Sequence, residues 1–226
     1  MHKLEQAIGY TFQDKTLLEQ ALSHSSYANE TLHDGLKSYE RLEFLGDSIL
    51  GFVTADYLSR SCPALHEGDL TKLRADLVCE TSLSKTAQAL ELGAWLRLGR
   101  GEEATGGRAR VSILADVVEA IIAAIYLDGG FAQARRFIYH YVLVDTQQRV
   151  KLNADWKTML QERVQQKKNQ VLSYELTGTS GPDHDKHFSV RVLLNGEPVG
   201  EGEGPSKKRA EQAAARLAME RLYPEG

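Results

Sequence analysis

Apolar positions recur at helical spacing through most of the first 145 residues. Three stripes stand out: Leu17, Leu18, Ala21 and Leu22; Leu70, Leu73, Leu77 and Val78; and Leu83, Ala87, Leu90 and Leu92. Spacings of three and four residues place side chains on one face of an α-helix, so this part of the chain is predicted to be all helical. Gly99–Arg110 is rich in glycine and arginine and is predicted to be a loop.

The pattern changes after residue 153. A helix is predicted over 156–168, strands over 171–177, 187–194 and 198–202, and a final helix over 206–222. Asp155 is expected to cap the first of these helices, and Asn195-Gly196 is typical of a two-residue hairpin turn. The last helix is expected to pack Leu217 and several alanines inward. The order α-β-β-β-α predicts a small α+β domain with both helices on one face of an antiparallel sheet.

Two predicted helices carry acidic residues inside apolar sequence. The acids are Glu40, Glu43 and Asp47 on the first helix, and Asp116 and Glu119 on the second, for which Ser112 is a plausible N-cap. Helices that are apolar nearly all round are normally buried, and buried carboxylates are costly unless they are compensated. Acids pooled from two such helices favour a site for Mg²⁺ or Mn²⁺. The alternative is that each acid pairs with a local base such as Arg41 or faces solvent.

Composition narrows the class of protein. The 226 residues carry a net charge of −4, all of which falls within residues 1–153, since residues 154–226 are neutral overall. No apolar run reaches membrane-spanning length, and the N-terminus lacks the apolar core of a signal peptide. Cys62 and Cys79 form no metal-type pair. These features predict a cytoplasmic protein with no membrane partner.

A basic run opens the last predicted helix. Lys207, Lys208 and Arg209 occupy its first turn, where positive charge opposes the helix dipole. Free backbone N–H groups and these side chains could converge on phosphate, which predicts an anion-binding helix start. The alternative is a solvated run of charge on an ordinary helix.

Several motifs resemble those of a known family. ERLEFLGDS at 40–48 resembles the signature of ribonuclease III, and ILADVVEAIIAAIYLDGG at 113–130 resembles that family's second acidic block. GPDHDKHF at 181–188 and GEGEGPSKKRAEQAAA at 200–215 resemble a double-stranded RNA-binding domain. The resemblance implies an all-α catalytic endonuclease domain at 1–130, a terminal helix and linker at 131–153, and an α-β-β-β-α RNA-binding domain at 154–224.

The resemblance also implies roles for individual residues. The implied ligands of a magnesium ion are Glu43, Asp47, Asp116 and Glu119, and Mn²⁺ could take the place of Mg²⁺. Asp47 and Glu119 are the implied catalytic acids. Glu40 and Glu67 are the implied accessory acids: by resemblance, Glu40 would help to organise water and metal, and Glu67 would reach across a dimer interface.

Further roles are implied for the RNA-binding domain. The implied RNA contacts are Gln161 and Gln165 in one minor groove, His184 in the next, and Ser206, Lys207 and Lys208 on phosphate. One residue departs from the pattern, because many such domains carry a base at the position of Glu211. Glu211 therefore predicts weaker phosphate binding.

The implied protein is a homodimeric endoribonuclease. It would hydrolyse double-stranded RNA to 5′-phosphate and 3′-hydroxyl ends and process ribosomal RNA precursors, some mRNAs and tRNAs. A non-catalytic RNA-binding regulator is one alternative, although all the acids needed for cleavage are present. A di-iron carboxylate protein is another, but it would use Glu-x-x-His pairs, and neither acidic pair has a histidine at that spacing.

Overall fold

A computed structural model of the chain shows two compact units. They comprise Met1–Asn153 and Ala154–Gly226. The residues that the structure describes are 1–63, 65–144, 146, 155–167, 169–182 and 186–223. Within these ranges no helix is long and apolar enough to cross a membrane.

The first unit is helical, as predicted. Its α-helices are α1 (His2–Ile8), α2 (Lys15–Ala21), α3 (Ser25–Tyr27), α4 (Glu40–Ser61), α5 (Glu67–Val78), α6 (Glu80–Ala89), α7 (Arg100–Ala104), α8 (Val111–Gly129) and α9 (Phe131–Phe137). Short 3₁₀ turns lie at Gly35–Lys37, Leu92–Trp95 and Gly107–Ala109, and π-helical turns lie at Ala28–Leu32 and Ile138–Val142. Leucine, isoleucine and valine side chains from these elements form one continuous core.

Helix α8 runs through the centre of this core. Eleven of its residues between Ile113 and Ile125 are buried, because apolar side chains at nearly every position let neighbours pack on all sides. The prediction that Ser112 caps this helix is wrong. The 3₁₀ turn just before it leaves Arg110 in extended backbone at the N-cap position, so the helix begins at Val111, two residues earlier than a cap at Ser112 would give.

Helix α4 crosses α8 with no side chain between them at one point. A Cβ atom on Gly46 would lie 1.9 Å from the carbonyl oxygen of Glu119, so only glycine permits this approach. The prediction that α4 is buried on all sides is wrong. Phe44 and Phe52 are 78% and 61% exposed, because α4 packs on the core through one side only.

The segment 99–110 is not the simple loop that its composition predicts. It contains α7 and a 3₁₀ turn. The guanidinium of Arg108 donates hydrogen bonds to the carbonyl oxygens of Gly93, at 3.0 Å, and Leu96, at 2.8 Å. These contacts with a neighbouring turn hold the segment in an ordered path that glycine content alone does not indicate.

The second unit has the predicted order of elements. They are α10 (Trp156–Gln165), β1 (Leu172–Ser180), β2 (His187–Leu194), β3 (Glu197–Gly204) and α11 (Lys207–Leu222). The sheet is antiparallel in the order β1-β2-β3, and Asn195 and Gly196 have the positive φ angles, 54° and 87°, that its tight turn requires. Strands β1 and β3 extend beyond their predicted ends because their ladders with β2 continue to Ser180 and Gly204.

Helix α11 lies directly on the backbone of β3. A Cβ atom on Gly200 would be 2.5 Å from the oxygen of Ala214, and one on Gly202 would be 2.2 Å from the nitrogen of Ala214. Ala214 and Ala218 are fully buried at this contact. The prediction that Leu217 packs inward is wrong: it is 49% exposed, because the buried face of the helix has room only for small side chains.

Candidate functional site

Three carboxylates meet where α4 crosses α8. Single oxygens of Glu43, Asp116 and Glu119 all lie within 4.8 Å of one another. Glu43 is in the first turn of α4, and the other two are three residues apart on α8, hence on one side of that helix. The close contact at Gly46 brings the two helices near enough for these acids to meet. Oxygen donors alone suit Mg²⁺ or Mn²⁺ better than Zn²⁺.

The acids of this cluster repel one another. The pKa of Glu119 rises from 4.5 to about 8, first through burial and then through the negative charges of Asp47, Glu43, Asp116 and Glu80. The pKa of Glu43 is raised in the same way, with burial again the largest cause. Among the described residues, no lysine or arginine forms an ion pair with the three clustered acids. A divalent cation would relieve this repulsion, so the residues present fit a metal ion.

The other predicted acids lie outside the group of three. Glu40 and Asp47 are exposed on α4, yet both raise the pKa of Glu43, so they stand close enough to act electrostatically. Glu67 is exposed at the start of α5, where the hydroxyl of Thr71 donates to its carboxylate at 2.8 Å. It is not among the acids that shift the pKa values of the cluster. Its role at a dimer interface stays a prediction.

Two further residues belong to this site although no sequence pattern singles them out. Tyr39 is 3% exposed, and its hydroxyl donates a hydrogen bond to Oδ2 of Asp116 at 3.2 Å. Burial and the nearby acids raise the pKa of Tyr39, so it stays a protonated donor. Burial raises the pKa of Asp116 despite this bond. Glu80, the first residue of α6, adds charge that raises the pKa of both Asp116 and Glu119.

Four of the predicted RNA-binding residues of the second unit are exposed on its helices. Those exposed are Gln161 and Gln165, one turn apart on α10, and Lys207 and Lys208 in the first turn of α11. Ser206 is the N-cap of α11, and its hydroxyl accepts a hydrogen bond from a backbone N–H of the first turn at 3.3 Å. His184 lies outside the described residues.

Glu211 is held in an ion pair. The Nζ atom of Lys157 on α10 lies 2.6 Å from Oε2 of Glu211 on α11, and 4.7 Å from the ring centre of Tyr174. Lys157 stands one helical turn before Gln161. Glu211 therefore occupies a lysine near the predicted RNA contacts. This ion pair is a physical reason to expect weaker phosphate binding.

Comparisons with known proteins agree with this arrangement. Residues 14–146 match the family model described as ribonuclease-III-like, and residues 156–222 match the double-stranded RNA binding motif. Ribonuclease 3 of Caldanaerobacter subterraneus subsp. tengcongensis is 48% identical over 97% of this chain and 96% of its own length. Ribonuclease 3 of Pelotomaculum thermopropionicum is 47% identical over 96% of this chain and 90% of its own.

Solved structures show the same likeness. The nuclease domain of ribonuclease III from Campylobacter jejuni, described as flexible in a region involved in dimer formation, matches with a TM-score of 0.58 at 43% identity. The match covers 63% of this chain and 95% of that domain. The chain thus belongs to the ribonuclease III family, and its second unit is a double-stranded RNA binding motif.

Proposed function

We propose that the chain is a metal-dependent endoribonuclease that hydrolyses double-stranded RNA to 5′-phosphate and 3′-hydroxyl ends. The observation that carries this proposal is the cluster of Glu43, Asp116 and Glu119, which has no basic partner among the described residues. The family membership supports it, because relatives that match nearly the whole chain are named Ribonuclease 3. The three domain ranges, 1–130, 131–153 and 154–224, are proposed with it.

The carboxylates would act through a bound cation, Mg²⁺ or in its place Mn²⁺. Such an ion makes water a better nucleophile at neutral pH and offsets the negative charge that develops on phosphate. Glu43, Asp116 and Glu119 would hold the ion. Asp47, one turn after Glu43, would be the fourth ligand and, with Glu119, a catalytic acid. Glu40 would orient water beside the ion.

The second unit would select the duplex by shape. Gln161 and Gln165 are proposed to contact 2′-hydroxyl groups in the wide minor groove of A-form RNA, and His184 the next minor groove. Lys207 and Lys208 are proposed to contact phosphate between the two grooves. Ser206 would support them by capping α11, whose free backbone N–H groups also favour an anion.

The functional form would be a homodimer. The two strands of a duplex are related by two-fold symmetry, so two subunits would cut one strand each. Phe44 and Phe52 on α4 are exposed apolar side chains that could form an interface between identical subunits, and Glu67 would reach across it. The proposed setting is the cytoplasm, where the enzyme would process ribosomal RNA precursors, some mRNAs and tRNAs.

Cleavage of a long RNA duplex tests this function. We expect cleavage with Mg²⁺ and none in EDTA, and Glu119→Gln should lower the rate by about 10³-fold or more, because a ligand of the cation is lost. Duplex binding in EDTA should remain. Glu103→Gln is the matched control, since Glu103 is an exposed acid of the same unit that pairs with Arg108. Near wild-type cleavage by Glu119→Gln would exclude the proposed metal centre, and binding without cleavage by the wild type would indicate a regulator.

A further inference from the structure

Tyr39 connects the two helices that carry the acidic cluster. It is buried and directly precedes α4, where its carbonyl oxygen accepts hydrogen bonds from the N–H groups of Leu42, at 2.8 Å, and Glu43, at 2.9 Å. Its hydroxyl donates to Oδ2 of Asp116 on α8 at 3.2 Å. A single residue therefore fixes the start of one helix and holds an acid of the other.

The surroundings keep the Tyr39 side chain in place. Its backbone N–H donates to the carbonyl oxygen of Ser23 at 2.8 Å, and the ring of His24 packs edge-on against its ring with centroids 5.7 Å apart. Nδ1 of His24 lies 2.8 Å from the hydroxyl of Ser26, which in turn accepts a hydrogen bond from the N–H of Gly99 at 2.8 Å. This chain of contacts limits the freedom of the phenol to move away from Asp116.

We propose that Tyr39 is a positioning residue for metal binding. Its hydrogen bond engages one oxygen of Asp116 and leaves the other free for the cation that Asp116 would share with Glu43 and Glu119. Tyr39 would act through Asp116 and touch no reacting atom. Outer-shell hydrogen bonds of this kind typically contribute about 10- to 100-fold in metal affinity. The inference rests on the proposed function, because it requires the metal centre.

The test is Tyr39→Phe, which keeps the ring and removes only the hydroxyl. Mn²⁺ binding by the full chain is measured by calorimetry in the absence of RNA. We expect the dissociation constant to rise by about 10-fold or more, and the Mg²⁺ concentration for half-maximal cleavage to rise by a similar factor. At saturating Mg²⁺, kcat should stay within a few-fold of wild type, because the reacting groups are intact. Unchanged Mn²⁺ affinity in the variant would overturn the proposal.

Tyr10→Phe is the matched control. The hydroxyl of Tyr10 donates to Oδ2 of Asp128 at 2.7 Å, also between distant parts of the first unit, but neither residue belongs to the acidic cluster. This variant should bind Mn²⁺ like the wild type. Equal losses in both tyrosine variants would show a general structural effect and would refute a role specific to Tyr39.

A second variant keeps the proposal testable if Tyr39→Phe does not fold. Ser26→Ala removes one of the two hydrogen bonds to Nδ1 of His24, that of the hydroxyl, and keeps the one from the backbone N–H of residue 26 at 3.1 Å. It changes no charge and does not touch Asp116. We expect a smaller, few-fold loss of Mn²⁺ affinity, and no loss would contradict the proposal. The wild type distinguishes failure of the metal centre from failure of the role of Tyr39. If it binds no Mn²⁺, the proposed metal centre fails; if it binds and Tyr39→Phe binds equally well, only the role of Tyr39 fails.

Discussion

In the absence of metal, Glu119 should make the protein less stable as the pH rises. Its pKa is about 8 in the folded chain against an ordinary value of 4.5, mainly because of burial and then because of the neighbouring acids. Between these two pH values the folded state holds a proton that the unfolded state has released. Stability is therefore full below about pH 4.5 and is lost progressively as the pH rises through 8.

The magnitude follows from the size of the shift. At 1.36 kcal/mol per pH unit, the rise corresponds to at most about 5 kcal/mol. Glu119 is only partly buried, so solvent screening reduces this figure, and we expect about 2 kcal/mol. Glu119→Gln removes the titrating group. The variant should match the wild type near pH 5 and exceed it by about 2 kcal/mol at pH 8.5, or roughly 4–8 °C in Tm.

Thermal unfolding in EDTA at constant ionic strength measures this difference. The helical signal is followed by circular dichroism from pH 5 to 8.5 for the wild type, Glu119→Gln and the control Glu103→Gln. Adding Mg²⁺ should reverse the order of stability, because the ion binds the folded wild type more tightly than the variant. A gap between wild type and Glu119→Gln that does not change with pH would refute the reasoning.

Three further predictions concern the packing and charge of the two units. Gly46→Ala should lower the free energy of unfolding by about 3 kcal/mol in chemical denaturation, because the added Cβ would clash with α8. Gly51→Ala is the control on the same helix: it has open space around it and should raise the free energy of unfolding by about 0.5–1 kcal/mol. Equal effects of the two substitutions would contradict the close crossing of α4 and α8. Glu211→Gln should release Lys157 to contact phosphate, so the slope of log affinity against log salt concentration for duplex binding in EDTA should steepen by about 1. An unchanged slope would exclude competition between Glu211 and phosphate for Lys157. Phe44→Asp should give a monomer mass by light scattering, and a persistent dimer would place the subunit interface elsewhere.

The sequence predicts those features that arise from local pattern. Glu43, Asp116 and Glu119 stand out because acids inside apolar helices conflict with burial, and the structure brings these three together. The hairpin at Asn195-Gly196 follows from residues that tolerate positive φ. Both signals need only a few adjacent residues, so no knowledge of the tertiary structure is required to find them.

Features that depend on tertiary contacts could not be predicted in this way. Tyr39 reaches an acid 77 positions away, and Glu80 acts through space from the start of a different helix. Leu217 fits the inward stripe of α11 by spacing, yet the glycines of β3 leave no room for it. In each case the deciding neighbour is supplied by a distant part of the chain.

The glycine-lined contact between β3 and α11 has a consequence for how this unit tolerates mutation. The contact joins backbone to alanine, so there is almost no side chain left to shorten, and truncation cannot open a large cavity there. Enlargement is the only substantial change available, and every added methyl at Gly200 or Gly202 must displace the helix. A complete substitution scan of this region should therefore be asymmetric. Alanine-to-glycine changes on the helix would cost about the 1 kcal/mol of lost helix propensity, while glycine-to-alanine changes on the strand would cost about 3 kcal/mol.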